Sequence, residues 1–142
     1  LTAVDYSADA VALAERNRCR LQLENAQILQ SDWYQAVAGF RFDLIISNPP
    51  YIDGTDPHLQ QGDVRYEPLS ALVAADDGLA DIRLICAQAP VHLEAGGWLW
   101  LEHGHQQHEA VQQILTDAGF NAVQSRRDYG GNWRISGGCL AG

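Results

Sequence analysis

Phe42-Asp43-Leu44-Ile45-Ile46-Ser47-Asn48-Pro49-Pro50-Tyr51 is the stretch on which the fold turns. Its first six residues are rich in β-branched and apolar side chains, with apolar groups on both alternating faces. Apolarity on two sides predicts a central strand of a parallel sheet. The next four residues end that strand. Two successive prolines fix φ and remove two backbone donors, so the corner offers carbonyl oxygens. The Asn48 side-chain oxygen and a diproline carbonyl can then both accept from one NH2 group, and the Tyr51 ring gives a flat group a surface to pack on. The corner is suited to a planar amino group, as in a carboxamide or an adenine. A strand-ending turn with incidental prolines is the plainer alternative. The position at the tip of a central strand weighs against it, because ligands of open α/β sheets sit outside the carboxyl ends of the strands.

Upstream, Leu1 to Asp5 reads as a short buried strand, and Ser7 or Asp9 can cap a helix with Val11, Ala14 and Leu21 on one buried face. Ala26 to Gln30 is a second short strand, followed by Ser31-Asp32-Trp33. Downstream, Asn48 to about Gly78 is a long irregular stretch carrying Pro57, Pro68, Gly54 and Gly62; so long a loop in a compact domain points to function. Leu79 to about Leu93 reads as a helix with Ile82, Ile85 and Ala89 on one side, kinked or ended by Pro90. Gly96-Gly97 should break the chain before a strand from Trp98 to Glu102. Gln106 to Ala118 is amphipathic through Val111, Ile114, Leu115 and Ala118, and Gly119 closes it. Asn121 to Arg127 and Trp133 to Leu140 are strand patterns joined by Tyr129-Gly130-Gly131-Asn132, which predicts an antiparallel hairpin. The alternation of strand and helix implies an α/β fold with a doubly wound parallel sheet and right-handed crossovers.

Two further strand ends carry chemistry. A carboxylate at Asp5 can accept both hydroxyls of a ribose, or it can cap the helix that follows. Asp32 can accept from an exocyclic amine or close a turn; Trp33 can cover an adenine ring or pack in the core. Their shared edge favours the ligand readings. His103, His105 and His108 suggest a metal by their spacing, but a solvated loop and helix start is the reading adopted, with no metal expected. The three cysteines, Cys19, Cys86 and Cys139, have neither metal-ligand nor disulfide spacing and read as buried free thiols. A net charge of -9 disfavours a phosphate backbone as partner, and Arg126-Arg127 reads as a solvated strand end. No apolar run approaches the roughly 20 residues a membrane helix needs, and no secretory signal opens the chain. A cytoplasmic protein is the expectation. The chain contains no methionine and opens inside the apolar run Leu1-Thr2-Ala3-Val4, which reads as a cut near the start of a strand.

Asn48-Pro49-Pro50-Tyr51 in this setting resembles the amino-methyltransferase motif shared by DNA adenine-N6 and protein glutamine-N5 enzymes. The surrounding text is more specific. Ile46 to Ile52, Asp56-Pro57-His58-Leu59, Val64-Arg65-Tyr66-Glu67-Pro68-Leu69-Ser70-Ala71-Leu72 and Asp77-Gly78-Leu79 closely resemble the release factor glutamine methyltransferase family, and so do Leu101-Glu102-His103-Gly104 and Arg127-Asp128-Tyr129-Gly130. The similarity runs essentially from end to end.

The resemblance implies a Rossmann-like class I S-adenosylmethionine-dependent methyltransferase fold with the terminal hairpin, residues 1–142 forming one N-terminally truncated catalytic domain. It implies S-adenosyl-L-methionine as cofactor and methyl transfer to the glutamine of the Gly-Gly-Gln tripeptide in bacterial peptide chain release factors, by a monomer. Asp5 would hold the ribose, and Trp33 with Asp32 would line the adenine pocket. Asn48 would bind the target amide beside the cofactor. Pro49, Pro50 and Tyr51 would complete the slot, and Glu67 would orient the substrate loop or cap locally. The family's first strand, glycine-rich loop and N-terminal helical domain have no counterpart in this sequence. The two halves of the sheet would lack the strand between them, and unpaired buried backbone is costly. An inactive piece is therefore one rival reading. A nucleic-acid adenine-N6 methyltransferase is a second, disfavoured by the acidic charge. A nicotinamide-dependent oxidoreductase is a third; it explains neither the Asn-Pro-Pro-Tyr run nor the hairpin.

Overall fold

The computed structural model describes residues 1–53 and 72–142. The chain divides into two compact units, Leu1–Phe40 and Arg41–Gly142. No described helix is long and apolar enough to cross a membrane.

In the first unit, β1 (Thr2–Asp5) and β2 (Gln27–Gln30) pair in parallel, from Thr2 opposite Gln27 to Asp5 opposite Gln30. Helix α1 (Ala8–Arg20) makes the crossover. It starts at Ser7, whose hydroxyl accepts from the Ala10 N–H at 3.3 Å. It ends with Arg18 and Arg20, placed to offset the negative end of the helix dipole. Val11 and Ala14 are half-buried on one face, as the spacing requires, but Leu21 is 59% exposed. Leu21 sits just past the helix end, where the 3.6-residue period no longer sets its direction. Cys19, expected to be buried, is exposed on α1. A short 3-10 turn, Gln35–Val37, follows β2 and buries Val37.

The second unit holds β3 (Phe42–Ser47), β4 (Ile52–Asp53), β5 (Val73–Ala74), the one-turn α2 (Ala75–Gly78), α3 (Ala80–His92), β6 (Leu93–Glu102), α4 (His108–Asp117), β7 (Phe120–Arg127) and β8 (Trp133–Leu140). Four strands form one sheet in the order β3-β6-β8-β7, with β3 parallel to β6 and β8 antiparallel to both neighbours. The hairpin lies where the glycine pair put it. Its turn is tied by the Asp128 carboxylate, which accepts from the Asn132 N–H at 2.9 Å and from Arg134 Nε at 3.2 Å. β1 and β2 share one ladder, and β3, β6, β8 and β7 share another.

The core belongs to the second unit and lies on one face of the four-stranded sheet. Ile82, Ile85, Cys86 and Ala89 of α3 and Val111, Ile114 and Leu115 of α4 are buried, as are Leu93, Leu99 and Leu101 of β6. These positions recur every three or four residues on the helices and every second residue on the strand, the periods that put a side chain on one face. Pro90 falls inside the last turn of α3.

Three further expectations, about strands and loops, need correction. First, β3 ends the strand order of its sheet instead of lying within it. Its second apolar set is not buried, with Leu44 50% and Ile46 73% exposed. They share the face opposite the core with Trp98 and Trp100, which stack at 5.7 Å between ring centroids. Gly137, paired with Trp100, leaves room for that ring; a Cβ there would collide with the indole. Second, Gly96-Gly97 does not interrupt β6. Leu93 already pairs with Phe42, and the ladder resumes at Leu44 opposite Trp98. Gly96, at φ 79°, absorbs the extra residues as a bulge that other residue types adopt only with strain. Third, the stretch read as irregular contains the parallel pair β4–β5, with Ile52 opposite Val73, and α2.

Burial pushes the Cys86 thiol up to about 12, so its nucleophilic thiolate is scarce at neutral pH. A thiol reagent at pH 8 should therefore modify Cys19 in the native protein and Cys86 only after denaturation. Mass spectrometry of each cysteine-containing peptide with and without urea checks this, and equal labelling of both in the native state would contradict the burial.

Candidate active site

Because β1 and β2 run in parallel and in register, Asp5 and the segment Ser31-Asp32-Trp33 emerge at the same end of that pair. The exposed Asp5 accepts from the Ser7 N–H through Oδ1 at 2.7 Å. That contact is the local cap foreseen as an alternative, and it uses one of about four lone-pair positions on a carboxylate. Asp32 is exposed, and its Oδ2 accepts from Gln35 Nε2 at 3.4 Å. Trp33 is half-buried and left-handed, at φ 50°. Few non-glycine residues adopt that conformation without being held. Here Ser31 Oγ donates to the Trp33 carbonyl at 2.8 Å and accepts from the Ala36 N–H at 2.9 Å. Strained residues of this kind cluster at functional sites.

In the second unit, Asn48 is exposed directly after β3, Pro49 is buried, and Pro50 and Tyr51 are half-buried. Ser47 pairs with Leu101, so Asn48 and Glu102 follow at the same end of adjacent parallel strands. Both line an open, mainly apolar cleft with Leu44, Ile46, Ser47 and Trp100. The Tyr51 hydroxyl donates to Glu102 Oε1 at 3.0 Å. Burial, with Glu102 adding to it, holds the phenol above its usual range against the pull of Arg134, so it stays a donor. The Tyr51 carbonyl accepts from Gln107 Nε2 at 3.0 Å. Glu67 lies outside the described residues, as does the text from Asp56 to Ala71.

Sequence reasoning assigned no role to Glu102 or Gln107. A signal existed for Glu102, which ends an apolar strand just as Asn48 does. Gln107 carries no local signal for its role, because Tyr51 and Asp77, the two carbonyl partners, lie far off in the chain.

The solvated reading of the histidines fails for His103, which is fully buried. Its Nδ1 lies 2.9 Å from the Gly104 carbonyl, which can only accept, so Nδ1 carries the proton. Nε2 then accepts from Ser136 Oγ at 2.7 Å. Ser136 accepts in turn from Ser125 Oγ at 2.6 Å, and Ser125 from Gln112 Nε2 at 2.7 Å. Loss of water around the ring pushes His103 below its usual value, against the opposing pull of the Gly104 carbonyl. His108 stacks on Trp133 at 5.1 Å, and only His105 is exposed. Arg126 and Arg127 are exposed as expected, but they lie over the rings of Trp100 and Trp133 at 5.3 and 4.3 Å.

A parallel ladder tipped by acceptors, with a terminal antiparallel hairpin, is the class I S-adenosylmethionine-dependent methyltransferase fold. Solved structures agree. A methyltransferase from Pyrococcus furiosus matches with a TM-score of 0.72 at 21% identity, over 99% of this chain and 62% of that one. A release factor-specific protein-(glutamine-N5) methyltransferase from Alicyclobacillus acidocaldarius matches with a TM-score of 0.53 at 20% identity, over 99% and 79%. Residues 1–63 match the family model described as Methyltransferase small domain. A protein named release factor glutamine methyltransferase from Yersinia pestis is 58% identical over 94% of this chain and 48% of its own length. By sequence, the chain belongs to the release factor glutamine methyltransferase family. It spans about half the length of the curated relatives it matches.

The His103 arrangement has a pH signature. The folded-state value lies below the ordinary imidazole value of about 6.5. Below that pH the unfolded chain takes up a proton that the folded chain refuses, so stability is full above about pH 6.5 and falls below it. Urea midpoints from pH 7.5 to 5.0 should show this decline, and His103→Asn should flatten it. Equal slopes in the two proteins would remove His103 as the cause.

Proposed function

We propose that the protein carrying this chain methylates the side-chain amide nitrogen of the glutamine in the Gly-Gly-Gln tripeptide of bacterial peptide chain release factors, with S-adenosyl-L-methionine as donor. The observation that carries the reading is the Asn48-Pro49-Pro50-Tyr51 corner at the carboxyl end of β3, in a chain of this family. Residues 1–142 act as one catalytic domain. The partner is the release factor protein, in the cytoplasm, and the enzyme works as a monomer. The acidic net charge of -9 favours a protein substrate over a nucleic acid.

The residues at the strand ends fit the cofactor. Asp5 retains acceptor capacity beyond its bond to Ser7 and suits the ribose hydroxyls. Trp33, held half-buried by Ser31, suits the adenine ring, with Asp32 beside it for the exocyclic amine. When bound, the cofactor supplies an electrophilic methyl group on a sulfonium and needs no metal.

The protein's task is alignment. An amide nitrogen is a weak nucleophile because its lone pair is delocalised. Asn48 Oδ1 and a diproline carbonyl accept the two amide hydrogens and direct the nitrogen toward the methyl group. Tyr51 packs against the flat amide, Pro49 and Pro50 keep the corner rigid, and Glu67 orients the substrate loop or caps locally. The same oxygens stabilise positive charge developing on the nitrogen, which sheds one proton to water. Positioning of this kind supplies up to roughly 7–11 kcal/mol of barrier reduction in the best cases.

Asn48→Ala in the full protein should abolish methylation of a release factor while S-adenosylmethionine binding, measured by calorimetry, stays within about twofold. Near-normal methylation by that variant would refute the role. Methyl transfer to DNA adenine in preference to a release factor would refute the substrate.

A further inference from the structure

We propose that Gln107 is a positioning residue that holds the Asn48–Tyr51 corner in place from outside. This deepens the proposed function and rests on it for the role of Asn48, though not for the placement of Tyr51. The corner has a structural difficulty: Pro49 and Pro50 have no N–H, so neither can donate a bond to the rest of the fold. A donor must instead come to the carbonyls. Gln107 brings one. One side-chain N–H reaches the Tyr51 carbonyl at 3.0 Å and the other reaches the Asp77 carbonyl at 2.8 Å. Oε1 accepts from the Gly104 N–H at 2.8 Å. Two partners can only accept and one can only donate, so the orientation of the carboxamide is fixed by its surroundings. One side chain thereby ties together the corner, the turn before α3 and the loop after β6.

A second, independent observation places the same turn against Tyr51. Asp76, Asp77 and Gly78 are all left-handed, at φ 57°, 54° and 78°. Gly78 adopts that conformation freely, but two aspartates in a row there are costly unless something holds them. Gly78 lies so close to the Tyr51 carbonyl that a Cβ would collide with it, and it would also crowd Gln107 Nε2 at 2.8 Å. The turn is shaped to the corner, and Gln107 joins the two. With its hydroxyl on Glu102 and its carbonyl on Gln107, Tyr51 is fixed at both ends. Behind it, two rigid prolines pass that placement back to Asn48.

The test uses Gln107→Leu, close in shape but without hydrogen bonds, and Gln107→Glu, made in the full protein. Four quantities are read: Gly104 amide exchange, the Asn48 and Tyr51 backbone and side-chain NMR resonances, the S-adenosylmethionine Kd, and kcat and KM on a release factor. In Gln107→Leu, Gly104 should exchange faster and the Asn48 and Tyr51 resonances should shift. The S-adenosylmethionine Kd should stay within about twofold, and kcat should fall on the order of 10²-fold, as expected for a misplacement near 1 Å. Gln107→Glu gives a reading within one folded protein. Its carboxylate repels the two carbonyls, whereas its protonated form can donate to one of them. Activity relative to wild type should therefore rise as pH falls. The same series on wild type corrects for the other titratable groups, among them Tyr51, Asp76, Asp77, Glu102, His103 and His108. Unmoved Asn48 and Tyr51 resonances in Gln107→Leu, or an unchanged kcat with Gly104 deprotected, would overturn the proposal. So would a Gln107→Glu ratio that does not vary with pH. If the wild-type protein fails to methylate a release factor, the proposed function falls, and the resonances alone decide what Gln107 holds.

Discussion

Two consecutive prolines leave a chain with nothing to donate. Everything around Asn48 follows from that constraint. A corner of this kind is stiff in itself, yet it cannot anchor itself to a sheet or a helix through its own N–H groups. It has to be reached by donors from elsewhere or packed into place. The structure does both: Pro49 is buried, and the residue after the pair is gripped at its carbonyl by Gln107 and at its hydroxyl by Glu102. The same lack of donors leaves carbonyl oxygens as the backbone groups available there, the feature on which the proposed amide substrate rests.

The sheet supplies the platform. In the second unit, burial is confined to one face, where Leu99 and Leu101 meet the apolar stripes of α3 and α4. The opposite face carries Leu44, Ile46 and two stacked tryptophans with Arg126 over one of them. Parallel pairing of β3 with β6 brings Asn48 and Glu102 to one edge. In the first unit the β1–β2 pair does the same for Asp5 and Trp33. Each unit thus presents its polar groups at the carboxyl ends of parallel strands, where helix–sheet packing leaves backbone and side chains exposed.

Local patterns were legible. The period of α4, the hairpin at Gly130-Gly131 and the capping serine before α1 are each set by a few neighbouring residues. Partners set by register were not. Apolarity on both sides of β3 says what would gain from burial, not which strand supplies it. Gly96-Gly97 can stop a strand or bulge it, and only the pairing with Phe42 and Leu44 decides. His103 looked like a surface residue because nothing in its own segment announces Ser136. Of the candidate site, the acceptors on strand tips were readable from position alone. The residues that hold them were not, since Gln107 and Gly78 act across long separations in sequence.

The hydroxyl relay beneath β6 and β8 has a consequence for how this protein can vary. Each link both gives and receives, and the direction runs one way from Gln112 through two serines and His103 to a backbone oxygen. Replacing Ser136 by alanine would leave the buried Nε2 of His103 without a donor, whereas Ser125 and Gln112 are half-buried. The buried pair, His103 and Ser136, is therefore free to drift only in concert, as two words of polar text that must be rewritten together or kept.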